Sequence, residues 1–250
     1  IDDTLTTDGV VPPSTVQALA DLKAAGLHVI PITGRPVGWS EPFARDWPVD
    51  AIVAENGAVA LTTSPTGLQP APALRGALSK LYQQSDAVRA ANFARMQQVA
   101  QRVLRDVPGA RLARDSAGRE TDIAIDHSEF AHLTPAQVEA VVRTMQAEGM
   151  TATVSSIHIN GWYGDHNKLD GARWIVRTLL GRALDAELQR WVYVGDSTND
   201  QLMFEHFPHS VGVANIRRFE AQLTHKPRYI TLGERGEGFA EVARAVLAAR

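Results

Sequence analysis

The feature that most constrains the fold is a short apolar run that ends in a polar turn. Residues 191–194 read Trp-Val-Tyr-Val, residues 195–200 read Gly-Asp-Ser-Thr-Asn-Asp, and the apolar Leu-Met-Phe follows at 202–204. This order predicts a buried strand, a tight turn that glycine permits, and a helix that Asn199 and Asp200 open. In an open α/β sheet, ligands bind where such strands end.

Two carboxylates flank this turn. Asp196 and Asp200 lie four residues apart, so both side chains can face one point. Mg²⁺ prefers hard oxygen ligands and takes one or two protein carboxylates together with water and substrate oxygens. The alternative is an aspartate that merely caps a helix after a strand, which is a common arrangement.

Strand and helix patterns alternate through most of the chain, which predicts an α/β fold with a parallel sheet. Strands are expected at residues 28–32, 51–54 and 191–194, a hairpin around 55–58, and short edge strands at 211–213 and 229–230. Helices are expected at residues 15–25, 36–45, 168–180 and 238–249.

Residues 64–165 have a different pattern, typical of an inserted α+β unit. A long polar helix is expected at 74–105, strands at 110–114 and 122–126, a helix at 134–148, and two strands around 151–155 and 157–162. The predicted division is a core domain of residues 1–63 and 166–250 and a cap domain of residues 64–165.

Composition excludes several classes of protein. The 250 residues carry a net charge of −3, which gives no indication of a nucleic-acid or membrane partner. The chain has no cysteine, so disulfides, thiolate zinc sites and cysteine nucleophiles are excluded. No apolar stretch approaches the ~18 residues of a membrane span. We expect a cytoplasmic monomer or homodimer.

Four segments together resemble the haloacid dehalogenase-like hydrolases. They are the opening Ile-Asp-Asp-Thr-Leu, the Thr33-Gly34 pair after a predicted strand, Lys168 before a predicted helix, and the acidic turn at 195–200. The resemblance implies a Rossmann-like parallel-sheet core. A cap between the second and third segments is similar to that of the type IIB subgroup, which includes Cof-like, sucrose-phosphate and mannosylglycerate-phosphate phosphatases. The Glu-Asn-Gly-Ala turn at 55–58 is similar to theirs as well.

The first segment departs from the family pattern. Alignment with the family motif makes Asp2 the second aspartate of that motif, so the first, which is the nucleophile in the family, falls immediately before Ile1. We therefore expect an aspartate at that position.

The resemblance also implies roles for residues of this chain. The implied catalytic residues are Asp2, as general acid and base, and Lys168, which bridges the nucleophile and the phosphate. The implied phosphate ligands are Thr33, Gly34 and Asn199. The implied Mg²⁺ ligands are Asp2 through its backbone carbonyl, Asp196, and Asp200 directly or through water.

Specificity is expected to lie in the cap. Arg119 and Asp122 precede or begin a predicted cap strand, and alternation places His158 and Asn160 on one face of another. Paired donors and acceptors of this kind suit a hydroxyl-rich substrate, although a solvated strand face would show the same pattern. Arg35 either binds an anion near the phosphate or simply stands at a helix start.

These observations predict a Mg²⁺-dependent phosphatase of a small phosphorylated metabolite, such as a phosphosugar, acting through an aspartyl-phosphate. One alternative is a protein that binds a phospho-metabolite without turnover, which a residue other than aspartate before Ile1 would favour. A phosphomutase is the other, and transfer of phosphate to a second sugar hydroxyl would identify it.

Overall fold

The computed structural model describes residues 1–63 and 77–250. Its helices are α1 (Pro13–Ala24), α2 (Val37–Asp46), α3 (Asp86–Asp106), α4 (Pro135–Ala147), α5 (Lys168–Leu180), α6 (Gln201–His206) and α7 (Arg235–Ala248). Its strands are β1 (Ile52–Ala54), β2 (Val59–Thr62), β3 (Ser79–Tyr82), β4 (Arg111–Leu112), β5 (Ile123–Asp126), β6 (Thr151–Val154), β7 (His158–Trp162), β8 (Val192–Gly195), β9 (His209–Gly212) and β10 (Tyr229–Ile230). No helix in these residues is long and apolar enough to cross a membrane.

Two short sheets form the α/β core. Strands β8, β9 and β10 run parallel in the order β10-β9-β8, and β1, β2 and β3 form an antiparallel sheet in that order. Ile32 adds a parallel bridge to Val53 of β1. Helices α1 and α7 contribute the buried Leu19 and Ala240 to one shared hydrophobic cluster. The predicted α/β class with parallel strands is confirmed.

The inserted α+β unit has its own sheet and its own hydrophobic cluster. The sheet is antiparallel in the order β4-β5-β7-β6. Met96 and Val103 of α3 and Met145 of α4 are fully buried in the same cluster as Ile125 of β5. Because this cluster is separate from that of the core, the unit has the build of a small layered domain.

One predicted element differs from the structure. The long polar helix expected at 74–105 begins only at Asp86, because residues 79–82 form β3 and extend the core sheet by pairing with β2. Pairing with a preformed strand overrides local helix preference, which a single sequence does not show. The predicted domain boundary at residue 64 and the first residues of that predicted helix lie outside the described residues.

Two strand predictions also need correction. Residues 28–32 are extended, yet they have regular pairing only at Ile32. The segment expected to be an edge strand at 211–213 contributes to β9, which lies between β8 and β10 and is therefore interior to its sheet.

A tight turn sets the position of α5 against the core. Glu55 and Asn56 have positive φ values of 48° and 56°, and Gly57 has φ 115°. A Cβ on Gly57 would lie 2.3 Å from the carbonyl oxygen of Asn167, so a side chain there would displace the start of α5. Since Lys168 is the first residue of α5, this contact fixes where its side chain begins.

Candidate active site

Asp196 follows β8 and carries a carboxylate oxygen that no donor satisfies. Its Oδ1 accepts a hydrogen bond from the Thr4 hydroxyl at 2.8 Å, whereas Oδ2 is buried and has no partner among the described residues. Asp196 as a whole is only 5% exposed. Burial, and then the charge of Asp200, raise the pKa of Asp196 to about 7.

Both carboxylate oxygens of Asp200 accept hydrogen bonds. Its Oδ1 accepts from Lys168 Nζ and from the Tyr193 hydroxyl, each at 2.6 Å. Its Oδ2 accepts from the backbone amides of Asp196 at 2.9 Å and Ser197 at 3.2 Å. Burial opposes the charged form, but the charge of Lys168 and its hydrogen bond lower the pKa of Asp200. In this arrangement Asp200 positions the Asp196 turn and Lys168.

Glycine is required at the start of this turn. A Cβ on Gly195 would lie 2.6 Å from Asp200 Oδ2, inside the contact distance of any side chain. The Asp200 carboxylate therefore folds back over Gly195 to reach the amides of the turn, in the manner of a capping box with Ser197.

Lys168 enters the site from the first residue of α5. Asn167 caps this helix, because its Oδ1 accepts from the amides of Leu169 at 2.9 Å and Asp170 at 3.0 Å. Lys168 Nζ also donates to Asn199 Oδ1 at 3.0 Å. The cation is thereby directed at the acidic turn after β8.

Thr33 and Gly34 lie where the extended segment 28–32 ends. Thr33 is buried, its amide donates to Val53 O at 2.9 Å, and its Oγ1 accepts from the Arg35 amide at 3.0 Å. The Gly34 carbonyl accepts from Arg119 at 3.0 Å and from Asn160 at 3.3 Å, both of which belong to the inserted unit. The Gly34 loop is thus held from the cap side.

Arg35 is enclosed by carboxylates from both units. It contacts Asp2 in a forked arrangement, with Nε at 2.9 Å from Oδ2 and Nη2 at 2.9 Å from Oδ1. It also pairs with Asp115 at 3.0 Å and with Glu129 at 2.8 Å. These pairs raise the pKa of Arg35 against the effect of burial. From the sequence, Arg35 was either an anion ligand or a residue at a helix start. The structure places it between the core and the inserted unit, where it contacts carboxylates of both.

Glu129 connects Arg35 to His158. The second oxygen of its carboxylate lies 2.8 Å from His158 Nε2. Asp126 fixes the backbone of this loop by accepting from four consecutive amides, those of residues 128–131. Burial raises the pKa of Glu129, but the hydrogen bonds from His158 and Arg35 outweigh it and lower the pKa to about 2. No sequence pattern marked Glu129, since only the loop geometry brings it to the site.

Arg119 and Asp122 form a buried ion pair. Arg119 Nη1 lies 2.8 Å from Asp122 Oδ1, and Asn160 donates to Asp122 Oδ2 at 2.9 Å. Burial raises the pKa of Asp122 although the charge of Arg119 opposes this. Arg119 also donates to the Gly34 carbonyl, and neither residue of the pair lines the pocket described next.

A small pocket of about 30 Å³ lies between the core and the inserted unit. The residues predicted from the sequence that line it are Asp2, Thr33, Gly34, His158, Asn160, Lys168, Asp196 and Asn199. Asp200 lies directly behind it, bonded to Lys168. The tertiary structure therefore brings together residues from four separate segments and the cap. Arg119 and Asp122 do not line this pocket, and Arg119 contacts the Gly34 carbonyl instead.

The donor set fits Mg²⁺. Asp196 Oδ2 is a buried carboxylate oxygen without a hydrogen-bond partner among the described residues. The Thr4 hydroxyl lies 2.8 Å from the other oxygen of Asp196 and 3.5 Å from the Asp2 carbonyl oxygen, which brings the two residues near each other. In the described residues no three His, Cys, Asp or Glu side chains converge as a metal cage. Mg²⁺ does not need such a cage, because it keeps several water or phosphate oxygens.

Comparisons with known proteins agree with this geometry. A family model described as haloacid dehalogenase-like hydrolase matches residues 1–69. The chain is similar to a Thermoplasma acidophilum structure at 15% identity and a TM-score of 0.70, covering 98% of this chain and 94% of that one. No curated protein matches the chain.

Two further solved structures have informative descriptions. One is a haloacid dehalogenase subclass IIB sugar phosphatase, with 15% identity, a TM-score of 0.62, and coverage of 98% of this chain and 96% of that one. The other is the sucrose-phosphatase of Synechocystis sp. PCC6803 in complex with sucrose and phosphate, with 13% identity, a TM-score of 0.63, and coverage of 98% and 94%. At these identities the likeness establishes a shared fold.

Proposed function

We propose that this chain, a haloacid dehalogenase-like hydrolase by its N-terminal sequence and its fold, is a Mg²⁺-dependent phosphatase of a small phosphate monoester, such as a phosphosugar. The observation that carries the proposal is that Thr33, Lys168 and Asp196, whose Oδ2 has no hydrogen-bond partner among the described residues, line one pocket. These groups supply a hydroxyl donor, a cation and a metal ligand, which are the parts that phosphoryl transfer requires.

The phosphate is held between the two strand ends. The Thr33 hydroxyl and the Gly34 amide donate to phosphate oxygens from one side, and Lys168 Nζ donates from the other. Asn199 keeps Lys168 in place through its contact at 3.0 Å. Because phosphate monoesters hydrolyse very slowly in water, such positioned charge is what the protein must contribute.

Asp196 Oδ2 and the Asp2 carbonyl are the groups that would hold Mg²⁺. When bound, the ion neutralises charge on the phosphate oxygens and lowers the repulsion that an anionic nucleophile meets. Asp200 takes no direct part, since its oxygens already accept from Lys168, Tyr193 and the turn amides.

The nucleophile is proposed to be an aspartate bonded to the amino end of Ile1. Ile1 lines the same small pocket as Asp2, Lys168 and Asp196. A carboxylate there attacks phosphorus and forms an aspartyl-phosphate as the bond to the alcohol oxygen breaks. Asp2 gives its proton to that oxygen and then takes one from the water that cleaves the aspartyl-phosphate.

The cap has to move for this cycle. A pocket of about 30 Å³ has room for one or two waters, not for a phosphate ester. Opening of the cap breaks the ion pairs of Arg35 with Asp115 and Glu129. The ion pair of Arg35 with Asp2 joins two residues of the core. His158 and Asn160, which line the pocket from the cap, then meet the alcohol part of the substrate on closure.

The test uses the chain with an aspartate placed before Ile1, together with Mg²⁺ and a panel of sugar phosphates and phosphoglycerate conjugates. We expect phosphate release from at least one ester, and a fall of about 100-fold or more in Asp196→Asn, because a metal ligand is lost. The control is Asp185→Asn, an exposed partner of Arg173 that lies outside the pocket.

Four outcomes would overturn the proposal. Absence of turnover for every ester, or an unchanged rate in Asp196→Asn, would contradict the phosphatase assignment. Tight binding of an ester without turnover would indicate a phospho-metabolite-binding protein. Transfer of the phosphate to a second hydroxyl would indicate a phosphomutase.

A further inference from the structure

The small pocket between the core and the inserted unit offers few cations to a ligand. Among the described residues that line it, the arginine and lysine side chains are Arg35 and Lys168. Lys168 pairs with Asp200 at 2.6 Å and belongs to the phosphate side of the proposed site. A second anionic group on a ligand would therefore have to bind Arg35.

Arg35 already donates to carboxylates through all three of its nitrogens. Its Nε lies 2.9 Å from Asp2 Oδ2, its Nη1 lies 3.0 Å from Asp115 Oδ2, and its Nη2 lies 2.8 Å from Glu129 Oε1. The guanidinium also lies over the ring of Trp39, 5.2 Å from the ring centroid. A ligand anion reaches this guanidinium only by displacing a carboxylate. The displaced carboxylate then lies beside the new anion, an arrangement that like charges disfavour.

Two carboxylates of the cap exceed the positive charge around them. Asp115 lies 3.0 Å from both Arg35 and Arg119, and Glu129 lies 2.8 Å from Arg35. Each of these arginines also pairs with another carboxylate, so neither is available to Asp115 or Glu129 alone. His158, at 2.8 Å from Glu129, offsets one negative charge only when it is protonated. The cap side of the pocket therefore carries an excess of negative charge.

Both cap carboxylates are held in the charged form. Burial opposes the ionisation of Asp115, but the charge of Arg119 outweighs it and the pKa of Asp115 is lowered. The pKa of Glu129 is lowered to about 2 by its own partners. Asp126 accepts from the amides of residues 128–131, so the backbone that carries Glu129 is fixed within the cap. Closure of the cap thus brings both negative charges to the pocket.

The other polar side chains on the cap side are uncharged. Ser155, Ser156 and Asn160 line the pocket there. A hydroxyl group both donates and accepts hydrogen bonds, and it carries no charge. An alcohol rich in hydroxyls can therefore bind these side chains without displacing any partner of Arg35.

We infer that the cap side of this pocket selects the alcohol part of the ester by charge. It admits an uncharged polyhydroxyl alcohol or a cationic alcohol, and it rejects an alcohol that carries a second anionic group, such as a carboxylate or another phosphate. Glu129 is the positioning residue for this selection, since it acts through Arg35 and His158, which line the pocket. The inference rests on the proposed phosphatase function and narrows its substrate class.

The first test measures binding, so that selection is separated from turnover. Isothermal titration calorimetry of residues 1–250 with Mg²⁺ compares two pairs of esters. Glycerol 3-phosphate and 3-phosphoglycerate differ by a carboxylate in place of a hydroxymethyl group, and phosphoethanolamine and phosphoglycolate differ by a cation in place of an anion. We expect the first member of each pair to bind at least about tenfold more tightly. Equal affinities within each pair, or tighter binding of the anionic members, would overturn the inference.

The second test is Glu129→Gln, which removes one negative charge and keeps the shape of the side chain. The preference for glycerol 3-phosphate over 3-phosphoglycerate is expected to fall by at least about fivefold. Loss of a purely structural contact would weaken both esters alike and leave their ratio unchanged. Asp115→Asn should shift the ratio in the same direction, which covers the case of poor folding in the first variant. The control is Glu139→Gln, at an exposed residue of α4.

An unchanged ratio in both Glu129→Gln and Asp115→Asn, or an equal shift in Glu139→Gln, would contradict the inference. These outcomes differ from those of the phosphatase assay. Release of phosphate from neutral and anionic esters with equal kcat/KM would retain the function and refute the selection. Selective binding without phosphate release would retain the selection and refute catalysis, and absence of binding by all four esters would refute both.

Discussion

Glu55 joins the core to the cap and offers the clearest pH-dependent prediction. Its carboxylate is fully buried and accepts from the amides of Val37 at 3.0 Å, Glu120 at 3.0 Å and Thr121 at 2.6 Å, as well as from the Thr121 hydroxyl. Burial, and then the charge of Asp122, raise the pKa of Glu55 to about 7 against the effect of these donors.

The sign of the effect follows from the raised pKa. In the unfolded chain the carboxyl titrates near its ordinary value of 4.5, so between that pH and about 7 the folded state holds more protons. The free energy of unfolding therefore falls as pH rises through this window. Between about pH 5 and about pH 8 the loss from this one group is about 2.5 kcal/mol.

Glu55→Gln removes the titration while keeping the shape of the side chain. The amide group of glutamine faces backbone donors, so at low pH the variant is expected to be less stable than the natural protein by about 1–3 kcal/mol. Toward high pH the natural protein loses stability and the variant does not, so this difference should shrink by about 2.5 kcal/mol.

The assay is urea-induced unfolding of both proteins at about pH 5 and about pH 8. The control is Glu139→Gln, since Glu139 forms an exposed ion pair with Arg143 on α4. The reasoning is refuted if the difference between Glu55→Gln and the natural protein stays constant within about 0.5 kcal/mol across this range.

Two further predictions concern packing and positioning. Ile125→Ala removes a fully buried side chain from the hydrophobic cluster of the cap and should lower the free energy of unfolding by about 2–5 kcal/mol. The control is Val88→Ala at a residue that is 46% exposed, where the change should be less than about 0.5 kcal/mol. Similar losses for both variants in urea titration would contradict a separate hydrophobic core in the cap. Tyr193→Phe deletes a donor to Asp200 and should cost about 1.5–3 kcal/mol by thermal unfolding, and no change in Tm would show that the hydroxyl does not hold Asp200.

Local sequence patterns predicted a large part of the fold. The apolar run before Gly195, the proline at the start of α4 and the asparagine cap of α5 each determine a boundary through short-range chemistry. The helix predicted at 74–105 failed at 79–82 because pairing with β2, a long-range interaction, decides the conformation of those residues.

The residues of the candidate site likewise fall into those that the sequence predicted and contacts that only the structure shows. Asp196 and Asp200 were predicted from the polar turn that follows an apolar strand, whereas Thr33 and Lys168 were predicted from the resemblance to a known family. Their roles as enzyme residues stay proposals. Arg119 and Asp122 were predicted as substrate ligands, and that role stays a prediction. The structure adds that Arg119 donates to the Gly34 carbonyl, a contact that a sequence does not reveal because it joins the cap to the core.

The sequence by itself determined most of the strands and helices, the polar residues at strand ends and the change of pattern that marks the inserted unit, because these follow from periodicity and turn chemistry within a few residues. It did not determine β3 or the pairing of residues 28–32. Only the tertiary structure decided the partners: Arg35 among Asp2, Asp115 and Glu129, Glu55 against Thr121, and β3 beside β2. Ion pairs and strand pairing join residues far apart in the chain, and their geometry is set by the packing of whole elements.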